Sequence, residues 1–479
     1  MRLRSWVLGV MTALGVAACA TNPATGQRQL ILMSEQQEIQ LGRESDQEVR
    51  QQMGVYKDPE LQRYVTDVGQ RLARASHRPN LPWTFTIVDS SAVNAFALPG
   101  GFIYVTRGIL PFLRDEAELA AVMAHEVGHV DARHTAQAYS KQVALGGALG
   151  VLGVLAPQTQ PLQGLASAGL QLMFLKFTRE NELEADRLGT GYASSSGWDP
   201  QAMPDLLGTL GRLDEASGTS RGVPNWAMTH PPAADRVQRV QEAVAAARTS
   251  GGRQTNREAL ERHLDGMVYG DSREQGIVRG TDFFHPDLRF ALRFPANWEI
   301  MNSAEQVVAR PGENGNAAMI LEIAQASGSV DQIARADMAR AGLREIDGQR
   351  ATINGLSAYV GVYDGVIDNT QVRVRAAHIR NNDQTYLVAG VAPPGQFNAV
   401  DRAFVQTIES FRPLSVQEAA RIQPSRVDFY TVRPSDTWDS LARRAADTNV
   451  KASTLAIMNG SSPATPPRPG ERIRIVVGG

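Results

Sequence analysis

Helical and strand-like spacings of apolar residues follow one another along the first half of the chain. Ser34 to Gly54 is a polar stretch at helical spacing, with Ser34 placed as N-cap and Gln37 three residues on to complete a capping box. Asp58-Pro59 opens a second predicted helix, in which Leu61, Tyr64, Val65, Val68 and Leu72 recur at helical spacing. Trp83 to Val88 alternates like a strand, and Phe102 to Val105 is a short apolar strand after Pro99-Gly100-Gly101. Asp115 then caps a third helix, with Glu118 in the capping-box position, and the run Leu119 to Ala124 carries it forward. From about Gly280 strands and helices mix. Phe284 to Phe290 leads to Phe294-Pro295-Ala296-Asn297-Trp298, and a strand over Thr385 to Val391 precedes a helix near Phe397 to Ser410. The expected class is α+β and multidomain: a mostly helical domain with a small sheet, then an α/β module and a small C-terminal domain.

The third helix runs into His125-Glu126-Val127-Gly128-His129. Residues four apart share a helix face, so both imidazoles can meet one metal ion while Glu126 reaches that ion's water. Catalytic zinc needs a third protein ligand and one open position. A metzincin would place Gly at 132 and His at 135, where this chain has Ala132 and Thr135. His134 lies five residues beyond His129, off the ligand face. A gluzincin instead takes a Glu from a later helix, and Arg179 to Asp186 supplies one. Glu182 and Asp186 are four apart on one face. Glu182 is the candidate third ligand, and Asp186 the acceptor for the distal N–H of a ligand His. Glu180 and Glu184 point elsewhere on the helical wheel and read as solvated or salt-bridged. Glu126 is then the general base, passing the water's proton to the leaving amine.

These motifs resemble the metallopeptidases that include HtpX, BepA and the CAAX prenyl proteases. The family's HExxH and ExxxD elements match residues 125–129 and Glu182 to Asp186, and Asn94 to Gly101 matches the stretch that lines the substrate cleft there. Asn22 to Gln27 is similar to the start of the secreted members. The resemblance covers roughly residues 20 to 245. It implies a zincin-type peptidase domain with one Zn2+ per chain and an extended substrate paired near Asn94 to Leu98. Thr229-His230-Pro231-Pro232 and Asp235-Arg236-Val237 also resemble a family segment. The resemblance implies His230 as a removable fourth ligand and a downstream cation that holds the tetrahedral intermediate. The plainer alternative is a His and Pro that shape a loop. HtpX and the prenyl proteases span membranes. This chain shows no comparable span after its first residues, which places it nearer the soluble BepA-like branch. Misfolded or misassembled envelope proteins are the implied substrates. A chaperone or scaffold that holds such clients with little turnover is the alternative.

Composition narrows this further. A chain of 479 residues implies two to four domains, and a net charge of -2 makes no case for nucleic acid. One cysteine excludes an internal disulfide and any Cys-cluster metal site. Arg2 and Arg4 precede the apolar stretch Trp6 to Ala18, the layout of a secretory signal. Val16-Ala17-Ala18-Cys19 resembles a lipobox, which implies a signal peptide over 1–19 and membrane anchoring through lipidated Cys19. Ala20 rather than Asp favours the outer membrane, facing the periplasm. Val143 to Ala156 is apolar over only about 14 residues, short of the ~20 a span needs. With Leu162 to Phe177 it reads as a buried helical hairpin or a membrane-facing lid. The expected domains are the peptidase over 20–247, a linker over 248–279, an α/β interaction module over 280–415 and a final domain over 424–477. The 280–415 module is weakly similar to PsbP-like proteins. Phe429 to Trp438, Ser440 to Ala442, Leu455 to Asn459 and Pro469 to Ile473 are similar to a LysM domain, with Ser435 where Gly is usual. That resemblance implies a βααβ fold and peptidoglycan as a partner.

Overall fold

The polar turn at Asn22 lies near the start of the described residues. Strands β1 (Cys19–Thr21) and β2 (Arg28–Leu30) pair antiparallel around it, and Gly26 takes φ +73° to close it. The capping box at Ser34 forms and starts α1 (Glu35–Met53). Asp58 accepts from the N–H groups of Glu60 and Leu61 and starts α2 (Pro59–Ala75), which buries Leu61, Val65, Val68 and Leu72. These features come from a computed structural model. It describes residues 19–146, 172, 175, 177–217, 226–230, 236–247, 252–312, 315–324, 326–367, 370–445 and 450–478.

Strands β3 (Thr84–Val88), β4 (Ala95–Leu98) and β5 (Phe102–Thr106) form one sheet in the order β3-β5-β4, with β4 antiparallel at an edge. The alternation expected for β3 does not govern its burial. Four of its five residues are buried, because α2 covers one face, with Phe85 against Gly69, and α1 the other, with Val49 and Met53 against Val88. Helix α3 (Glu116–Asp131) is buried at every residue. Asp115 caps it through the Glu118 N–H, while the Glu118 carboxylate reaches one residue further back than expected, to the Arg114 N–H at 2.6 Å. Arg133, at φ +58°, turns the chain into α4 (His134–Gly146). Its guanidinium is tied to Glu38 at 2.8 Å.

Helix α5 (Arg179–Ser195) crosses α3 through small residues. A side chain on Gly128 would meet the Ala185 backbone oxygen at 2.9 Å, and one on Gly189 would meet the His125 nitrogen at 2.8 Å. That close approach brings the first turns of α5 over the imidazoles of α3. Helices α6 (Ala202–Ser217), α7 (Trp226–Thr229), α8 (Arg236–Ala247) and α9 (Arg257–Leu264) follow.

The chain divides into two compact units, residues 1–267 with 427–442 and 451–475, and residues 268–426 with 443–450 and 476–479. The second is built on sheets. After β6 (Val268–Tyr269), strands β7 (Ile277–Arg279), β8 (Asp282–His285) and β9 (Phe290–Arg293) form hairpins. Strands β10 (Trp298–Asn302), β11 (Gln306–Pro311), β12 (Ala318–Ile323), β13 (Leu343–Ile353), β14 (Leu356–Ile367), β15 (Thr370–Asn381) and β16 (Gln384–Ala392) make an antiparallel sheet in the order β10-β11-β12-β16-β15-β14-β13, with α10 (Val330–Arg340) between β12 and β13. Helix α11 (Pro394–Glu409) buries Phe397, Phe404 and Ile408 on that sheet, Phe404 seated over Gly390. Strand β17 (Arg412–Pro413) and helix α12 (Val416–Arg421) complete this stretch.

The C-terminal elements run β18 (Ser425–Thr431), α13 (Trp438–Arg444), α14 (Ala452–Met458) and β19 (Arg472–Val477), in βααβ order. Within the first unit, Arg474 donates to the carbonyls of Pro111 at 3.0 Å, Leu113 at 2.5 Å and Arg114 at 2.8 Å. The whole is therefore a mixed α+β, multidomain chain. No helix among the described residues is long and apolar enough to cross a membrane. The signal and lipobox residues before Cys19, and most of 143–177, lie outside the described residues.

Candidate metal centre and active site

Helical spacing places His125, Glu126 and His129 on α3 as the sequence expects, and all three are buried. The crossing with α5 sets Glu182 and Asp186 against them. His230 enters from the end of α7, its N–H bonded to the Trp226 carbonyl at 2.7 Å. Ligand atoms of His125, His129, Glu182 and His230 all lie within 4.8 Å of one another. His125 Nε2 is 3.0 Å from His129 Nε2 and 3.3 Å from His230 Nδ1. Glu182 Oε1 is 3.1 Å from His230 Nδ1 and 3.5 Å from His129 Nε2.

His125 Nδ1 lies 2.8 Å from Asp186 Oδ1. An ionised carboxylate only accepts, so the proton sits on Nδ1 and the Nε2 lone pair points into the cluster. Zinc bonds of ~2.0 Å in a tetrahedron set ligand atoms about 3.3 Å apart, close to the spacings here. Nitrogen and carboxylate donors with no cysteine suit a hard or borderline divalent ion. The residues fit a metal.

Arg236 closes the back of the site. It grips Asp186 with two bonds of 2.9 Å and reaches Glu182 Oε2 at 2.9 Å. The family resemblance implies a downstream cation that holds the intermediate; the Arg236 guanidinium is engaged with the two carboxylates. Burial pushes Glu182 upward, but His230, His125 and Arg236 outweigh it and hold the carboxyl below its usual range. Burial also raises Asp186, and the His125 hydrogen bond with Arg236 brings it down to about 2. Burial pushes Glu126 up to about 8, with the Glu182 charge adding to it. A divalent cation beside it reverses that direction. His230 Nε2 stands 3.4 Å from Glu126 Oε1.

A model of "Peptidase family M48" matches residues 59–244. The beta-barrel assembly-enhancing protease of Escherichia coli (strain K12) is 33% identical over 266 residues, covering 50% of this chain and 54% of that protein. The mitochondrial metalloendopeptidase OMA1 of Schizosaccharomyces pombe (strain 972 / ATCC 24843) is 31% identical over 246 residues, covering 50% of this chain and 71% of its own. The chain belongs to peptidase family M48. It spans about half the length of the first curated relatives it matches, 54% for the E. coli protein. Among solved structures, the solution structure of cyanobacterial PsbP from Synechocystis sp. PCC 6803 is 13% identical, with a TM-score of 0.23 over 29% of this chain and 94% of its own.

Several residues around the M48 site escaped the sequence reading. Trp226 stacks on His230 with centroids 4.2 Å apart, and its N–H donates to the Val93 carbonyl beside edge strand β4. Phe177 stacks on His129 at 4.2 Å. Leu172 and Leu175 pack with Phe96 and Leu98. None carries a motif. The Phe177–His129 stack joins residues 48 positions apart, which periodicity within one helix does not reveal. His134 is off the cluster, as its spacing implied, with Nδ1 2.9 Å from His129 Nδ1. Glu184 is bonded to it at 3.1 Å.

Proposed function

We propose that this chain is a zinc-dependent endopeptidase that cleaves misfolded or misassembled cell-envelope proteins and is held to the membrane by lipidated Cys19. The observation that carries the catalytic reading is the convergence of His125, His129 and Glu182 beside Glu126 in one buried cluster. A zinc ion there supplies the Lewis acid that polarises the scissile carbonyl and acidifies the attacking water. His125, His129 and Glu182 hold it. Asp186 fixes the tautomer of His125, and Arg236 holds both carboxylates in place. Glu126 takes the water's proton and gives it to the leaving amine. Edge strand β4 is the proposed pairing site for an extended peptide, a mode that tolerates many sequences. The name of the E. coli relative supports the envelope assignment. The βααβ segment at the C-terminus is read as a LysM-like module for peptidoglycan, and the α/β module over 280–415 as an interaction domain.

His230 is proposed as the resting block. Its Nδ1 shares the cluster while its Nε2 faces Glu126, so its ring stands where an attacking water needs to be. The test is turnover of casein by wild type, His230→Ala and His230→Ala with Glu126→Gln. His230→Ala should be the most active, with zinc content unchanged. Adding Glu126→Gln should cut that activity by about a hundredfold or more. A His230→Ala protein that keeps zinc but is less active than wild type refutes the block. Full activity with Glu126→Gln refutes the base.

A further inference from the structure

The distal nitrogen of His125 meets a carboxylate directly, whereas that of His129 meets another histidine. We propose that Glu184 and His134 form a positioning relay that holds His129 in its metal-facing tautomer, and that Asn22 in the N-terminal turn sets this relay. The inference rests on the metal reading above.

The proton positions follow from what each group can donate. Glu184 Oε2 lies 3.1 Å from His134 Nε2, so that nitrogen carries a hydrogen. In the neutral ring, Nδ1 of His134 is then a lone pair. It faces Nδ1 of His129 at 2.9 Å, so His129 must donate from Nδ1. That leaves a lone pair on His129 Nε2, the atom turned toward His125, Glu182 and the metal position. The opposite polarity would place a hydrogen on His129 Nε2 and spoil it as a ligand. Among the described groups, His134 is the one facing His129 Nδ1 at hydrogen-bond distance, and both rings are fully buried.

The backbone is arranged to make this contact. Five residues on a continuous helix would carry His134 well away from His129. The left-handed turn at Arg133 ends α3 and starts α4, folding His134 back beside it. Glu184 sits two residues from Glu182 on α5, so one helix supplies a metal ligand on one side and the relay's carboxylate on another.

The far end of the relay is the N-terminal turn. Asn22 Nδ2 donates to Glu184 Oε1 at 3.0 Å. The Asn22 Oδ1 accepts from the Ala24 N–H at 2.9 Å and the Thr25 N–H at 3.3 Å, so the amide's orientation follows from its own turn. Asn22 is 1% exposed. After β2, the Leu32 N–H donates to Ser140 of α4 at 2.9 Å, which seats the hairpin on the helix that carries His134. Asn22 stands three residues after Cys19. The turn next to the proposed anchor is thus joined to a metal ligand by three hydrogen bonds.

The test uses the full chain, with zinc affinity measured by chelator competition and the cobalt(II)-substituted protein measured by visible absorption. His134→Ala should weaken zinc by about 10–100-fold, the usual cost of losing an outer partner, and should shift the cobalt spectrum. His134→Asn places an acceptor oxygen near the lost Nδ1 and should recover most of the affinity. Glu184→Ala, which substitutes a strong helix former, should weaken zinc even if His134→Ala fails to fold. Asn22→Asp keeps the turn's acceptor oxygen, removes the donor and should weaken zinc at least threefold. Zinc affinity within twofold of wild type and an unchanged cobalt spectrum in Glu184→Ala overturn the relay. The same result in Asn22→Asp overturns its link to the N-terminal turn. Failure of the wild type to bind either metal overturns the metal reading itself, a result distinct from both.

Discussion

Replacing Gly189 by Ala should damage the metal centre without touching a ligand. The added methyl would lie 2.8 Å from both the Ala124 carbonyl carbon and the His125 nitrogen. Comfortable contact begins near 3.5 Å, so α5 and α3 must separate by about 0.7 Å there. His125 is itself a proposed ligand, and Glu182 sits on the helix that moves. Metal–ligand distances tolerate only about 0.2 Å. Zinc affinity should therefore fall at least tenfold, about 1.4 kcal/mol. Stability moves under two opposing effects: helix propensity gains about 1 kcal/mol, and overpacking costs about 1–3 kcal/mol. Gly191→Ala is the control. It is exposed on the same helix with nothing within 4 Å, so it takes the gain alone. Chelator competition and thermal melting of both variants, with and without zinc, separate the effects. If Gly189→Ala holds zinc as tightly as wild type and melts as high as Gly191→Ala, the close crossing does not set the site.

Three other perturbations follow from particular contacts. Asp186→Ala removes the acceptor for His125 Nδ1 and half of the Arg236 clamp; zinc affinity measured by chelator competition should drop about 10–100-fold, and wild-type affinity would contradict the tautomer argument. Burial pushes the His285 imidazole down to about 4 from 6.5, so the unfolded chain takes up a proton between those values that the folded chain refuses. The stability this contributes is complete above pH 6.5 and is lost as pH falls toward 4, by up to about 3 kcal/mol. The urea midpoint of His285→Gln should fall less than that of wild type between pH 7 and 4.5, and parallel losses would refute it. Arg474→Met leaves the carbonyls of Pro111, Leu113 and Arg114 without their buried donor; the first unit should lose at least about 2 kcal/mol, and an unchanged melting temperature would show that Arg474 is not needed there.

The legible part of this protein was local. Ser34, Asp58 and Asp115 start helices because each bonds N–H groups two or three residues away. His125, Glu126 and His129 share a face because a helix repeats, and Glu182 and Asp186 do so for the same reason. The structure brings all five together with His230, which the family resemblance also implied. What escaped depends on how helices cross. The wheel of α5 turns Glu184 away from Glu182, which the sequence shows, but its partner is His134, 50 residues earlier on α4. Asn22 reaches the same carboxylate across 162 residues. Arg236 was legible as a cation near the site, yet its attachment to Asp186 depends on where α8 packs. Burial of β3 departed from its alternation because α2 covers one face, with Phe85 against Gly69, and α1 the other, with Val49 and Met53 against Val88.

His125, His129 and Glu182 are the proposed holders of one catalytic zinc. Metal analysis of the purified full chain tests that assignment most directly, alongside His125→Ala, His129→Ala, Glu182→Ala and Glu126→Gln. Wild type and Glu126→Gln should carry about one zinc per chain, and each of the three ligand variants should lose it sharply. Full zinc retention by Glu182→Ala, or a wild-type protein that binds none, would contradict the assignment.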